Sequence, residues 1–327
     1  MTAAVPPKRC FWGIFPEAPV MSTATSLSPS SPTNPARTGP MRLWVAGTPF
    51  IILHFVPLLA LLPGVVVRPI DWIVCGALYV IRMFGVTGVY HRYFSHRTYK
   101  TSRGFQFVLA LLAMSSSQKG VLWWAAHHRH HHKFSDMPED IHSPKQKGFF
   151  YAHVGWLFDG TEATDYSKIK DFAKYPELMF LNRWWWLPPT VLGFATFFTL
   201  GWSGLLIGFA LSTVLLWHGT YTINSLTHVF GKRVYETTDD SRNSFILALI
   251  TLGEGWHNNH HYYQASTRQG FHWWQLDVTY YVLKALSWVG LVWDLREPPA
   301  EVVAGTWRPN KQRRAAAAST DDRREAA

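Results

Sequence analysis

The sequence predicts an all-α integral membrane protein, with four transmembrane helices arranged as two hairpins and a histidine-rich helical domain in the cytosol. Three observations carry that expectation. Charged residues stop at 16% and aromatic residues reach the same figure, against roughly 25% charged in an ordinary soluble domain. Four segments stay apolar for long enough to cross a bilayer. Sixteen histidines occur in 327 residues, and most of them cluster just beyond apolar segments. The mean hydropathy of −0.03 does not oppose this, because polar tails dilute strongly apolar stretches.

Taken in order, residues 1–41 read as a disordered leader. The run from Ser26 to Pro35 is rich in Ser, Thr and Pro and has no apolar period, so it cannot bury a core. It lacks the apolar stretch that a secretory signal needs, although its basic, acid-poor composition suits an organelle transit peptide. Met21 and Met41 are alternative starts. Residues 42–304 form the membrane domain, and 305–327 read as a second disordered tail.

The spans are expected at about 43–67, 70–90, 184–200 and 205–221, joined by Arg68-Pro69 and by Gly201–Gly204. A 17-residue helix reaches ~25 Å, the short end of the spanning range. Trp184, Trp185 and Trp186 suit an interfacial aromatic belt. Helices of a soluble bundle would show polar faces; these carry only Arg82, Asp71 and a few histidines. Of 31 lysines and arginines, Arg68 alone falls between hairpin arms. The positive-inside rule then places both termini and the long central segment in the cytoplasm. The +10 net charge needs no nucleic-acid partner to explain it.

Two shorter apolar runs, Phe105–Met114 and Phe245–Leu252, cannot span as helices and belong at the interface or in the cytosolic domain. That keeps the histidine groups on one side of the membrane. Cys10 and Cys75 are the two cysteines, too few for a disulfide framework or a cysteine-based metal site.

Nine histidines fall into four groups: His91 and His96; a triplet within His127–His132; His228; and His257, His260 and His261. Positions i, i+3 and i+4 share one helix face, so each triplet aims three imidazoles one way. Asn224 lies one turn before His228. His91 and His96 stand about 140° apart on an ideal α-helix and need a helix end or a bulge to converge. Spacing alone allows either His127, His130 and His131 or His128, His131 and His132. One metal takes at most six ligands, so this many imidazoles imply two metals, and imidazole suits iron, copper, zinc or nickel.

The stretches His91–Lys100, His128–Asp136, Gly148–Trp156, Asn224–His228 and Gly253–His261 resemble the membrane fatty-acyl desaturases of the stearoyl-CoA (delta-9) type, over about residues 43–275. The resemblance implies a histidine-ligated di-iron site and selects His128, His131 and His132. One iron would take His91, His96, His128, His132 and His260. The other would take His131, His228, His257 and His261, with Asn224 reaching it through water. Glu254 is the candidate carboxylate for orienting a ligand imidazole. Two positions depart from the family pattern. His127 replaces an acid that contacts CoA, and Tyr221 replaces a tryptophan near the substrate; both are assigned to substrate binding.

The implied activity is O2-dependent insertion of a cis double bond, at delta-9, into a saturated acyl chain. The chain would be carried by CoA or another acyl carrier, in contact with membrane lipid. No side-chain base can remove a proton from an unactivated methylene, so the chemistry needs an oxidant generated from O2. Two electrons must come from an external donor such as ferredoxin or cytochrome b5. A di-iron lipid or alkane hydroxylase is the nearest alternative, and a transition-metal transporter or buffer a more distant one. Transport would place ionisable groups near mid-bilayer. His153 is a possible tenth ligand, more in keeping with a structural role, and His54, His142, His218 and His272 lie outside the motifs.

Overall fold

Prolines and glycines decide where the apolar helices begin and break. The computed structural model describes residues 40–159 and 163–308, so the expected leader up to residue 39 and the expected tail from residue 309 lie outside the described residues. Helix α1 (Pro40–Phe55) continues as a 3-10 turn over Val56–Leu61. Pro57 lacks an N–H and ends the α pattern, and Pro63-Gly64 then stops the helix. The first expected span, 43–67, is therefore interrupted and shorter than its apolar composition suggested.

Helix α2 (Pro69–Phe84) starts with Pro69 in its first turn, where no backbone donor is needed. The Asp71 carboxylate accepts from the Arg68 backbone N–H at 2.8 Å and from its guanidinium at 3.0 Å. The helix runs on as a π-helix through Gly85–Ser95, 27 residues in all.

A second apolar run covers Leu187–His228, 42 residues, and is broken at Gly201. There φ is 75°, a backbone region where glycine pays no Cβ penalty. Gly193 on one side of the break packs against Phe209 on the other, so the two arms fold back together. These two runs are long and apolar enough to cross a membrane.

The arms meet at one end, where Arg68 donates to the Leu200 carbonyl at 2.6 Å and reaches Ser203. At the opposite end lie α3 (Arg103–Met114), α4 (Val121–Phe134) and short helices that carry the histidines. Ser102 caps α3 through its hydroxyl. The start of α4 is capped from elsewhere in the chain: Asn182 Oδ1 accepts from the Trp123 N–H at 3.0 Å. A Cβ on Gly120 would sit 2.1 Å from that same oxygen, so glycine is required for the close approach.

Val89, Phe94, Leu109, Ala113, Leu122 and Leu181 form the core between these helices. Each large apolar side chain there contributes about 1.5–3 kcal/mol by leaving water. Among the described residues the all-α expectation is relieved only by a two-residue antiparallel ladder pairing Lys100–Thr101 with Val292–Trp293 and by isolated bridges of Asn243 with Lys232 and Trp256.

Candidate metal centre

The π-helical stretch brings the first pair of imidazoles together. In it the His96 N–H bonds to the His91 carbonyl at 3.2 Å, the i to i+5 pattern that sequence spacing left open. The two rings stand 4.8 Å apart, centroid to centroid. Helix α4 presents His128 and His132 to this pair and turns His131 toward a second group. The six-residue helix His257–Tyr262 does the same with His260 on one side and His257 and His261 on the other. Its intervening asparagines clamp the helix in place. Asn258 Oδ1 accepts from the Val234 and Tyr235 N–H groups, and Asn259 donates to the Gln269 carbonyl and to Gln275.

Two sets result. His91, His96, His128, His132 and His260 form one, and His131, His228, His257 and His261 the other, with ligand atoms within 4.8 Å of one another in each. His127 belongs to neither; its Nδ1 meets the Trp123 carbonyl at 2.8 Å and its ring stacks on Trp123. His130 turns outward to the Glu139 carbonyl and Lys168. His153 bonds to Ser225 and His218, away from both sets.

Carboxylates hold the far nitrogen of several rings. Asp140 meets His131 Nδ1 at 2.9 Å, Asp136 meets His228 Nδ1 at 2.9 Å, and Asp239 meets His261 Nδ1 at 2.6 Å. Glu254 meets His91 Nδ1 at 2.6 Å rather than its sequence neighbour His257. Arg92, fully buried, fixes that glutamate at 2.9 Å and spans to Asp277 at 2.9 Å. Burying these charges is tolerable only because each is paired and hydrogen-bonded.

The electrostatics follow. Burial would raise the carboxyl pKa values of Asp136, Asp140 and Asp239, but their imidazole partners hold all three well below the usual range. Burial, then the charge of neighbouring imidazoles, pushes His96, His128, His132, His257 and His260 well below 6.5. Burial lowers His131 as well, yet Asp140 more than offsets it and leaves that pKa raised.

The residues fit metal ions. His260 Nε2 lies 3.0 Å from the Nε2 atoms of both His91 and His132, and His228 Nε2 lies 3.1 Å from His257 Nε2. A ring nitrogen carries one proton or one lone pair, so pairwise hydrogen bonds cannot satisfy such convergence, whereas a central cation can. His261 Nε2 is buried without a hydrogen-bond partner while its Nδ1 is held by Asp239. An all-imidazole donor set suits iron, copper, zinc or nickel.

A cavity of about 940 Å³ runs from this centre into the apolar helices. His127, His128, Asn224 and Tyr221 line its polar end, and Phe197, Phe209 and Trp217 its apolar walls. Sequence reasoning missed Asp136, Asp140, Asp239, Arg92 and His142. His142 packs against His131 with the rings tilted and their centroids 4.4 Å apart, lines the cavity, and has its pKa pushed down to about 3 by burial and by His131. Asp136, which ends the second motif, was the one visible signal among the acids.

Comparisons with known proteins agree with this geometry. A family model described as "Fatty acid desaturase" matches residues 70–291. The chain is 35% identical to the sn-1 stearoyl-lipid 9-desaturase of Synechocystis sp., over 78% of this chain and 80% of that one. It is 36% identical to the acyl-CoA C20 Delta5-desaturase of Anemone leveillei, over 69% and 73%. It is 35% identical to the Delta-9 acyl-lipid desaturase 2 of Arabidopsis thaliana, over 67% and 73%.

Proposed function

The chain belongs to the fatty acid desaturase family, and we propose that it inserts a cis double bond, at delta-9, into a saturated acyl chain using O2. The observation that carries this is the convergence of nine imidazoles beside a long apolar cavity. The five-histidine and four-histidine sets would each hold one iron, with Asn224 reaching the second through water. Bound iron supplies the oxidising power, drawn from O2, that breaks unactivated C–H bonds.

The protein's own part is positioning and exclusion of water. Phe197, Phe209 and Trp217 enclose the hydrocarbon tail, which burial out of water favours by about 0.8 kcal/mol per methylene. Tyr221 and His127 stand at the polar end, where the acyl head is held. Cavity depth sets which carbons lie beside His128. Glu254 and the three aspartates fix ring orientation through Nδ1, leaving each Nε2 for metal.

A glycerolipid is the favoured acyl carrier and CoA the second reading. His127 stands where the CoA-type pattern has an acid, and two of the relatives above are named for lipid-linked substrates. The apolar runs cross the bilayer four times as two hairpins. Gly201 splits the longer run, and Arg68 ties the hairpin turns at the end remote from the histidines. The histidine end faces the cytoplasm, where a ferredoxin or cytochrome b5 supplies electrons.

Expression in a desaturase-deficient host tests the function, with double-bond position read by mass spectrometry. An alkene at carbon 9 is expected; an alcohol would transfer the chain to the hydroxylases. Purified enzyme given stearoyl-CoA or a stearoyl phospholipid separates the two carriers.

A further inference from the structure

The two histidine sets differ in how they can be approached from outside. His131, His228, His257 and His261 are all buried, as are His91 and His260, while His96, His128 and His132 are not. His128 faces the acyl cavity, so a bound acyl tail closes that approach. His96 and His132 instead line a separate crevice of about 430 Å³, with Ser95, Arg129, Lys133 and Gln264 around them. Electrons must arrive while substrate occupies its cavity, so their entry must lie elsewhere.

The rim of this crevice is basic. Lys133 is exposed, and Arg97 has 63% of its side chain exposed. Arg129 and Lys168 adjoin them through the Lys168 carbonyl, which accepts from Arg129 at 2.8 Å. Asp171 pairs with Arg129 and Arg97, and Asp165 with Lys168. Arg129 and Lys133 line the crevice and Arg97 and Lys168 adjoin Arg129, so four cations stand against two anions in this region, and the surplus favours an acidic partner.

Resting on the desaturase reading, we propose that a small acidic one-electron carrier protein docks over this crevice and delivers electrons through the His96 and His132 edges. Each docking would oxidise one reduced carrier and would pass one electron to metal held by the two histidine sets. Two such electrons, two protons from solvent, and the two hydrogens taken from the acyl chain reduce O2 to two waters. A transient carrier complex needs only a small interface, so a few rim charges dominate its formation.

The test uses the full metal-loaded chain in nanodiscs and measures binding of a plant-type [2Fe–2S] ferredoxin, with the soluble haem domain of cytochrome b5 in parallel. Basic cytochrome c serves as the control and should not bind. Lys133→Glu is expected to weaken acidic-carrier binding about tenfold at low ionic strength, Arg97→Glu with Lys133→Glu further, and added salt should erase the difference. Lys284→Glu, on a half-exposed lysine of the helix Val278–Trp288, should leave binding unchanged. Reduction of the metals by dithionite should proceed equally in all variants, which shows that they are folded and loaded.

Binding that ignores Lys133→Glu and Arg97→Glu, or that falls equally with Lys284→Glu, overturns the docking site, whatever product is made. Salt-sensitive binding lost in Lys133→Glu, with no alkene under any reductant, upholds the docking site and overturns the desaturase reading instead.

Discussion

The five-histidine and four-histidine sets are built from the same side chain in different electrostatic settings. Among the described residues, three carboxylates bond to the four-histidine set, at His131, His228 and His261. The five-histidine set has Glu254 on His91, and Arg92 counters that charge. The four-histidine set is buried throughout, whereas three rings of the other set reach the acyl cavity or the crevice. One set is sealed and surrounded by negative charge; the other is accessible and nearly neutral around its ligands. Carboxylates raise the basicity of ligand imidazoles, so metals held by the two sets would be expected to differ in affinity and acid sensitivity.

The largest effect should erase the comparison altogether. His132→Ala in one set and His261→Ala in the other should each cut alkene formation more than about 100-fold, since losing a ligand exceeds losing its supporting partner. Fatty-acid profiles of expressing cells measure this. Turnover surviving in either variant would mean that one set is dispensable.

A smaller change should separate the sets. Asp140→Asn and Asp239→Asn are each expected to lower metal affinity of the four-histidine set about 10–100-fold. Metal analysis after dialysis against a chelator should then find close to one ion per chain. Glu254→Gln should act on the five-histidine set; loss of both ions from every variant would show that the sets bind as one unit.

Acid should sharpen the difference. The pKa of His131 is raised, because Asp140 outweighs burial, while His96, His128, His132 and His260 are lowered well below 6.5 by burial and by each other. Although His257 and His261 are lowered too, protons compete for His131 at higher pH than for these lowered rings, so the four-histidine set should lose its metal first, through His131, as pH falls. In the metal-free protein the raised His131 contributes stability below its unfolded value, lost as pH rises through the folded one. Depressed Asp140 contributes above its unfolded value, lost as pH falls. A pH titration of metal content and of thermal unfolding follows both.

The smallest effect lies just outside the comparison. His127→Ala should reduce turnover only a few-fold, because that ring packs on Trp123 and bonds its carbonyl instead of joining either set. Loss of all activity there, with His132→Ala active, would reverse the frame.

Much of this centre was legible beforehand. The helical spacing of His128, His131 and His132 and of His257, His260 and His261 marks groups that point together, because three and four residues make one α turn. Glu254 was singled out, but as a neighbour of His257 in sequence, and it serves His91. Asp239 and Asp136 reach His261 and His228 across 22 and 92 residues. Such pairings follow from packing and leave no periodic trace. The helix of the first expected span changes from α to 3-10 geometry around Pro57, whose missing N–H ends the α pattern, a local detail that apolar composition does not report.

The sequence by itself determined the helical class, the apolar stretches that make up the helices, the break at Gly201 and the supply of imidazoles. Those properties depend on residues a few positions apart, where backbone geometry is local. Only the tertiary structure decided which carboxylate steadies which ring, that His91 and His96 meet through a π-helical stretch, and that His96 and His132 open to a basic crevice. Each of these depends on segments far apart in the chain, brought together where buried charge must find a partner.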